Sequence, residues 1–125
     1  MEDLILKKST SLPEISFNAK IGILNISGRS VSENPVPFYQ TILEWLNDYY
    51  QAPQSKTVLS FSMEYVNSSS AKMLYNIIEK INFYFTQGYQ CEVLWQFEED
   101  DESMEELGLH YQSSFNMPFS IIRTS

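Results

Sequence analysis

Between Leu12 and Phe17 the apolar side chains Ile15 and Phe17 alternate with Glu14 and Ser16, the period of two expected of a half-buried strand. A short polar turn, Asn18 to Lys20, separates this run from "IGILNISG", where Ile21, Ile23 or Leu24, and Ile26 continue the alternation less cleanly. Two strands joined by so few residues predict an antiparallel hairpin. Asn34, Pro35 and Pro37 then interrupt the chain. Beyond them Phe38, Ile42, Trp45, Leu46 and Tyr49 recur at spacings of three and four, an amphipathic helix that Pro53 helps to stop. The run "KTVLSFSMEY" returns to period two, with Val58, Ser60 and Ser62 on one side and Leu59, Phe61, Met63 and Tyr65 on the other.

After three consecutive serines, Ala71, Leu74, Ile78, Ile81 and Phe85 define a second helical face with Ile77 on its flank, and Gly88 stands where a left-handed helix terminus is wanted. "QCEVLWQFE" sets Cys91, Val93, Trp95 and Phe97 against Glu92, Leu94, Gln96 and Glu98, a further strand. Met104, Leu107, Tyr111 and Phe115 mark a third helix, weakened modestly by Gly108 and started by acidic residues that suit its dipole. "MPFSIIR" closes the chain as a strand with Pro118 at its beginning or on an edge. The order β-β-α-β-α-β-α-β predicts an α/β fold: a mixed sheet, parallel after an N-terminal antiparallel hairpin, with right-handed crossovers covering it by helices. No linker, repeat or low-complexity tract divides the chain, so residues 1–125 read as one domain.

Composition narrows the function. A hydrophobic content of 43% with 14% aromatic residues is that of a chain with a real core. Eight Lys and Arg against sixteen Asp and Glu, a net charge of -8, would repel a phosphate backbone, which argues against nucleic-acid binding. The apolar runs are far shorter than a membrane span and "MEDLILKKSTS" lacks the layout of a signal peptide, so the expected location is the cytoplasm, with no membrane partner. Cys91 is the only cysteine, which excludes an internal disulfide and a cysteine-rich zinc site; its apolar neighbours suggest a buried thiol.

The candidate chemistry lies in "SMEYVNSSSAKMLYNII", where a strand hands over to a helix. Tyr65 ends the strand, Asn67 or Ser68 caps the helix, and the remaining serines fall in its first turn. One hydroxyl suffices for a cap, so redundant capping leaves a surplus. A helix start also offers free N–H donors and a favourable dipole to a phosphate of about -1.5 to -2 charges. Dipole compensation is worth roughly 0.3 to 2 kcal/mol, whereas a partner forced to bury the phosphate unpaired loses several kcal/mol. A phosphate here would therefore switch association rather than folding.

Other constellations carry less. Gly28, Arg29, Ser30, Glu33 and Asn34 form a polar strand-to-helix loop in which turn and capping roles explain every residue, while Arg29 is also placed to shape a partner surface or approach a phosphate on Ser68. The run Glu98 to Glu102 lacks the spacing and turn glycine of a calcium loop and reads as a solvated helix start. His110 has no cysteine or histidine nearby, so no metal site and no cofactor are expected. Nor do the serines and acids assemble into a persuasive Ser-His-Asp set or a phosphate-binding glycine loop. A small hydrolase is thus a weaker alternative, and a phosphorylation-independent interaction scaffold a second one.

The stretches "GRSVSENPVPFYQTILEWLNDYY", "MEYVNSSSAKMLYNIIEKI", "VLWQFEEDDESMEELG" and "MPFSII" together resemble the SiaC-like bacterial regulatory phosphoproteins across nearly the whole chain. The resemblance implies a fold like that of STAS-type anti-sigma-factor antagonists, and a non-enzymatic partner switch. A cognate Ser/Thr protein kinase modifies the start of the second helix, a PP2C-like phosphatase reverses it, and the unmodified form binds a target. In the founding system that target is a diguanylate cyclase, tied to cyclic-di-GMP and biofilm behaviour. The family's acceptor, directly after the Asn of the motif, maps onto Ser68, with Ser69 and Ser70 as alternatives. By adjacency Tyr65, Asn67, Ser69, Ser70 and Lys72, together with Arg29, are expected to frame the partner surface. The chain departs from the family pattern at Val31 and Ser32, where an aromatic residue and a proline are expected after "GRS".

Overall fold

A computed structural model describes residues 1–125. The elements are β1 (Leu4–Leu6), β2 (Glu14–Asn18), β3 (Ile23–Ser30), α1 (Val36–Tyr49), β4 (Lys56–Val66), α2 (Ser68–Thr86), β5 (Gln90–Glu98), α3 (Glu102–Ser114) and β6 (Phe119–Thr124). The strands form one six-stranded sheet in chain order, β1-β2-β3-β4-β5-β6. β1, β2 and β3 pair antiparallel; β3 to β6 run parallel. This is the expected mixed α/β order with one short strand added before the hairpin.

Register explains the layering. Leu4, Phe17, Leu24, Leu59, Val93 and Phe119 stand opposite one another in a row across all six strands, and Ile15, Ile26, Phe61, Trp95 and Ile121 form the next row on the same face. Apart from Leu4 and Ile121, which are partly buried at its margin, these rows join Tyr39, Ile42, Leu46 and Tyr49 of α1, Leu74, Ile77, Ile78 and Ile81 of α2, and Met104 and Tyr111 of α3 in a single buried cluster. All three helices therefore cover one face. The opposite row, Ile5, Ser16, Asn25, Ser60, Leu94 and Ser120, mixes hydroxyls and amides with apolar groups. Such alternation suits a sheet with only one covered side.

Two local readings change. Gly108, expected to weaken α3, lies against the Trp95 indole: a Cβ there would stand 2.3 Å from Trp95 Cδ1. Trp95 Nε1 donates to the Met104 carbonyl at 2.8 Å, so the glycine lets helix and strand approach closely enough for that bond. Tyr65, grouped by parity with Leu59, Phe61 and Met63, is instead 54% exposed. The β3–β4 register shifts between Gly28 and Arg29, which pairs Gly28 with Met63 but Arg29 with Tyr65. The extra residue re-aims the strand end away from the core.

Candidate functional site

The C-terminal ends of β3 and β4 deliver two connections side by side: the loop from Val31 to Pro35, leading into α1, and Asn67, leading into α2. The Asn67 amide N–H donates to the Ser30 carbonyl at 3.0 Å, which prolongs the strand pairing to the helix start. Asn67 has extended backbone angles, φ -82° and ψ 172°, and its side chain accepts from the Ser70 amide, the geometry of an N-cap. Its Nδ2 donates to the Ser32 carbonyl at 3.2 Å, tying the neighbouring loop to the cap.

The three serines have three different environments. Ser68 is exposed, at the first position of the helix. Ser69 is exposed too, but its hydroxyl donates to Asn67 Oδ1 at 3.2 Å and leans toward the Ser32 carbonyl at 3.5 Å. Ser70 is fully buried. Its Oγ accepts a hydrogen bond from Ser30 Oγ at 2.7 Å, and Ser30 Oγ lies 2.6 Å from the Tyr39 hydroxyl. Ser70 is therefore neither a surface contact nor an accessible acceptor in this fold, contrary to its place among the alternatives.

The first turn of α2 is held from below by both other helices. Tyr39 of α1 reaches it through Ser30, and Tyr111 of α3 donates its hydroxyl to the Ala71 carbonyl at 2.6 Å. Burial pushes the Tyr39 phenol up to about 12, an effect that its bond to Ser30 partly offsets; burial raises Tyr111 as well, with the nearby Tyr39 adding to it. Both are neutral hydroxyls across the physiological range. Sequence reasoning missed the roles of Ser30 and Tyr39, although a signal exists. Tyr39 stands three and seven residues before Ile42 and Leu46, and Ser70 four and seven before Leu74 and Ile77, so both belong to apolar helical faces.

Like α1, α2 starts without a carboxylate. The first turn of α2 contains no acidic residue, in a chain with sixteen, whereas the first turn of α3 carries Glu102 and Glu105. The positive end of the α2 dipole is thus left uncompensated. Lys72, one turn after Ser68, is exposed and lines a dent of about 230 Å³ with Ala71, Tyr75, Leu107, His110 and Tyr111. Arg29 is exposed on β3 opposite Tyr65.

The remaining sequence candidates fall elsewhere. Asp101 caps α3 by accepting from the Met104 amide at 3.1 Å, so part of the acidic run has a structural task. No group of three or more His, Cys, Asp or Glu side chains is placed to hold a metal ion. Cys91 is buried, its Sγ 3.3 Å from the Tyr50 hydroxyl. No helix is long and apolar enough to cross a membrane.

A one-sided α/β domain that exposes Ser68 and Ser69 on a capped, uncompensated helix start, and anchors the turn beneath them from three elements, has the build of a small regulatory domain. Residues 6–124 match the SiaC family of regulatory phosphoproteins, and the chain belongs to that family. It is accordingly a regulator and not an enzyme. An uncharacterised protein of Pseudomonas aeruginosa (strain UCBPP-PA14) is 24% identical over 121 residues, 97% of this chain and 96% of that one. Apo-SiaC from Pseudomonas aeruginosa has the same fold, with a TM-score of 0.88 at 23% identity, over 98% of this chain and 99% of that one. So does SiaC of the same organism in complex with the diguanylate cyclase SiaD, which it activates: TM-score 0.91, 23% identity, 98% and 100% coverage.

Proposed function

We propose that this chain is a cytoplasmic partner switch in which reversible phosphorylation of Ser68 controls binding to a signalling protein, a diguanylate cyclase or a close functional equivalent. A Ser/Thr kinase adds the phosphate and a PP2C-like phosphatase removes it. The observation that carries this reading is the sorting of the three serines: Ser68 open, Ser69 turned into the cap, Ser70 buried. Membership of a family of regulatory phosphoproteins supports it, and so does the SiaD complex of a protein with this fold.

A phosphate on Ser68 meets the orphan amides of the first turn and a dipole that no carboxylate already satisfies. Lys72, four residues on, lies on the same side of the helix. The domain therefore tolerates the dianion. A partner lying over Ser68, Ser69 and the exposed Tyr65, with Arg29 at the rim, does not, because it would have to desolvate that charge.

The test is incubation of the full chain with the host kinase, site-mapping by mass spectrometry, and a binding assay against the host cyclase. Wild type should gain one phosphate, on Ser68, and lose about a hundredfold in affinity, the equivalent of about 2.7 kcal/mol at the interface. Ser68→Ala should stay unmodified and bind like the bare chain, and Ser68→Asp should bind weakly. Equal affinity of the bare and phosphorylated chains would reduce the protein to a scaffold.

A further inference from the structure

We propose that Ser30 and Tyr39 are positioning residues that select the acceptor among the three serines, an inference that rests on the reading of Ser68 above. Three hydroxyls from three elements form one buried chain: Tyr39 of α1, Ser30 of β3 and Ser70 of α2. Each hydroxyl has a single proton. Ser30 spends its proton on Ser70, so Tyr39 must donate to Ser30, and the chain runs in one direction, Tyr39 to Ser30 to Ser70.

Stability alone does not account for this arrangement. A chain of satisfied buried hydroxyls contributes little over a well-packed apolar replacement of the same shape, while any hydroxyl left unpaired costs the full desolvation penalty. What the chain supplies is direction. It fixes the rotation of the first turn about the helix axis: Ser70 is drawn inward and the Asn67 cap closes on the Ser70 amide. Successive helical residues are about 100° apart, so seating Ser70 inward turns Ser68 outward and leaves Ser69 against the cap. The same Ser30 passes its carbonyl to the Asn67 amide, so its backbone and side chain grip adjacent points of one turn.

Removing a link lets the first turn slip or fray with the core intact, and the reach of Ser68 and Ser69 then becomes similar. The experiment compares wild type, Ser30→Ala, Tyr39→Phe and Tyr50→Phe as full chains, using the host kinase that modifies the wild type. Each is assayed for kcat/KM of modification, for the distribution of phosphate over Ser68 and Ser69, and for thermal unfolding. Tyr50→Phe removes a buried phenol bond of the same kind, to Cys91 Sγ, away from the first turn of α2, and controls for lost stability.

The expected result is a fall of about 3- to 10-fold in kcat/KM at Ser68 for Ser30→Ala and Tyr39→Phe, the size of one net hydrogen bond, with Ser69 taking a share of the phosphate. Tyr50→Phe should keep phosphate on Ser68 alone. If Ser30→Ala does not fold, Tyr39→Phe, which takes away the bond that orients the Ser30 hydroxyl toward Ser70, decides the matter. Wild-type rates with Ser69 bare in the folded variants, or equal slowing in all three, would overturn the positioning role while Ser68 remained the acceptor. Wild type that takes no phosphate on Ser68 would overturn both.

Discussion

Asn67 concentrates more of the site in one side chain than any neighbour: Oδ1 accepts from the Ser70 amide at 2.9 Å and from Ser69 Oγ, and Nδ2 donates to the Ser32 carbonyl. Asn67→Ala should lower unfolding stability by about 1 to 2 kcal/mol in a urea titration, the usual cost of losing an N-cap. Asn67→Asp keeps the acceptor and gains from the dipole but cannot donate to Ser32, so it should recover most of that stability. A chain in which the alanine and aspartate variants unfold alike would show that the cap does not hold this turn. At this scale the sequence was half legible. "NSSS" announced a cap and a cluster of hydroxyls, but Asn67 and Ser68 were equally good caps until the backbone angles separated them. The inward turn of Ser70 was hidden because a serine in a first turn ordinarily reads as a capping residue.

Among the elements, α3 gives the sharpest contrast between local propensity and packing. On propensity alone Gly108→Ala should stabilise the helix by about 1 kcal/mol. The Trp95 indole occupies the space the methyl needs, and Trp95 is itself boxed in by Phe61 and Tyr111 at ring-centroid distances of 5.0 and 5.4 Å. Helix and strand must then separate, so the substitution should destabilise by about 1 to 3 kcal/mol and lower the melting temperature. Calorimetry settles the sign. The periodic elements were legible because each repeats its signal over several residues: β5 and α2 each pair a long alternation or apolar face with a clear terminus, including Gly88 at φ +101°. β1 was not legible, since three residues cannot establish a period, and its place is fixed by pairing with β2. The bulge that exposes Tyr65 was equally invisible, because it is a property of two strands and not of one.

Across the whole molecule, four buried phenols tie the helical layer to the sheet and to itself: Tyr49 to Thr57, and three others, Tyr39 to Ser30, Tyr50 to Cys91 and Tyr111 to the Ala71 carbonyl. Burial raises the last three above the ordinary phenol value of 10.0, Tyr39 to about 12, and raises the Cys91 thiol above 9.0. In the unfolded chain these groups lose their protons near their ordinary values, while the native state holds them. The unfolded state therefore binds fewer protons as pH rises, and the slope of stability against pH is negative. The stabilisation is complete below about pH 9 and is lost progressively as pH climbs through 10 toward 12. In a chain of net charge -8, the negative charge gained at high pH adds a repulsion that acts in the same direction. Tyr39→Phe separates the two causes, because it removes one buried ionisable group and leaves the surface charge untouched. Melting temperatures taken from pH 7 to 11.5 should stay level to about pH 9 and then fall, with a shallower fall in Tyr39→Phe than in wild type. Parallel curves for the two proteins would mean that surface charge alone drives the alkaline loss, and that the Tyr39 hydroxyl does not stay protonated in the folded core.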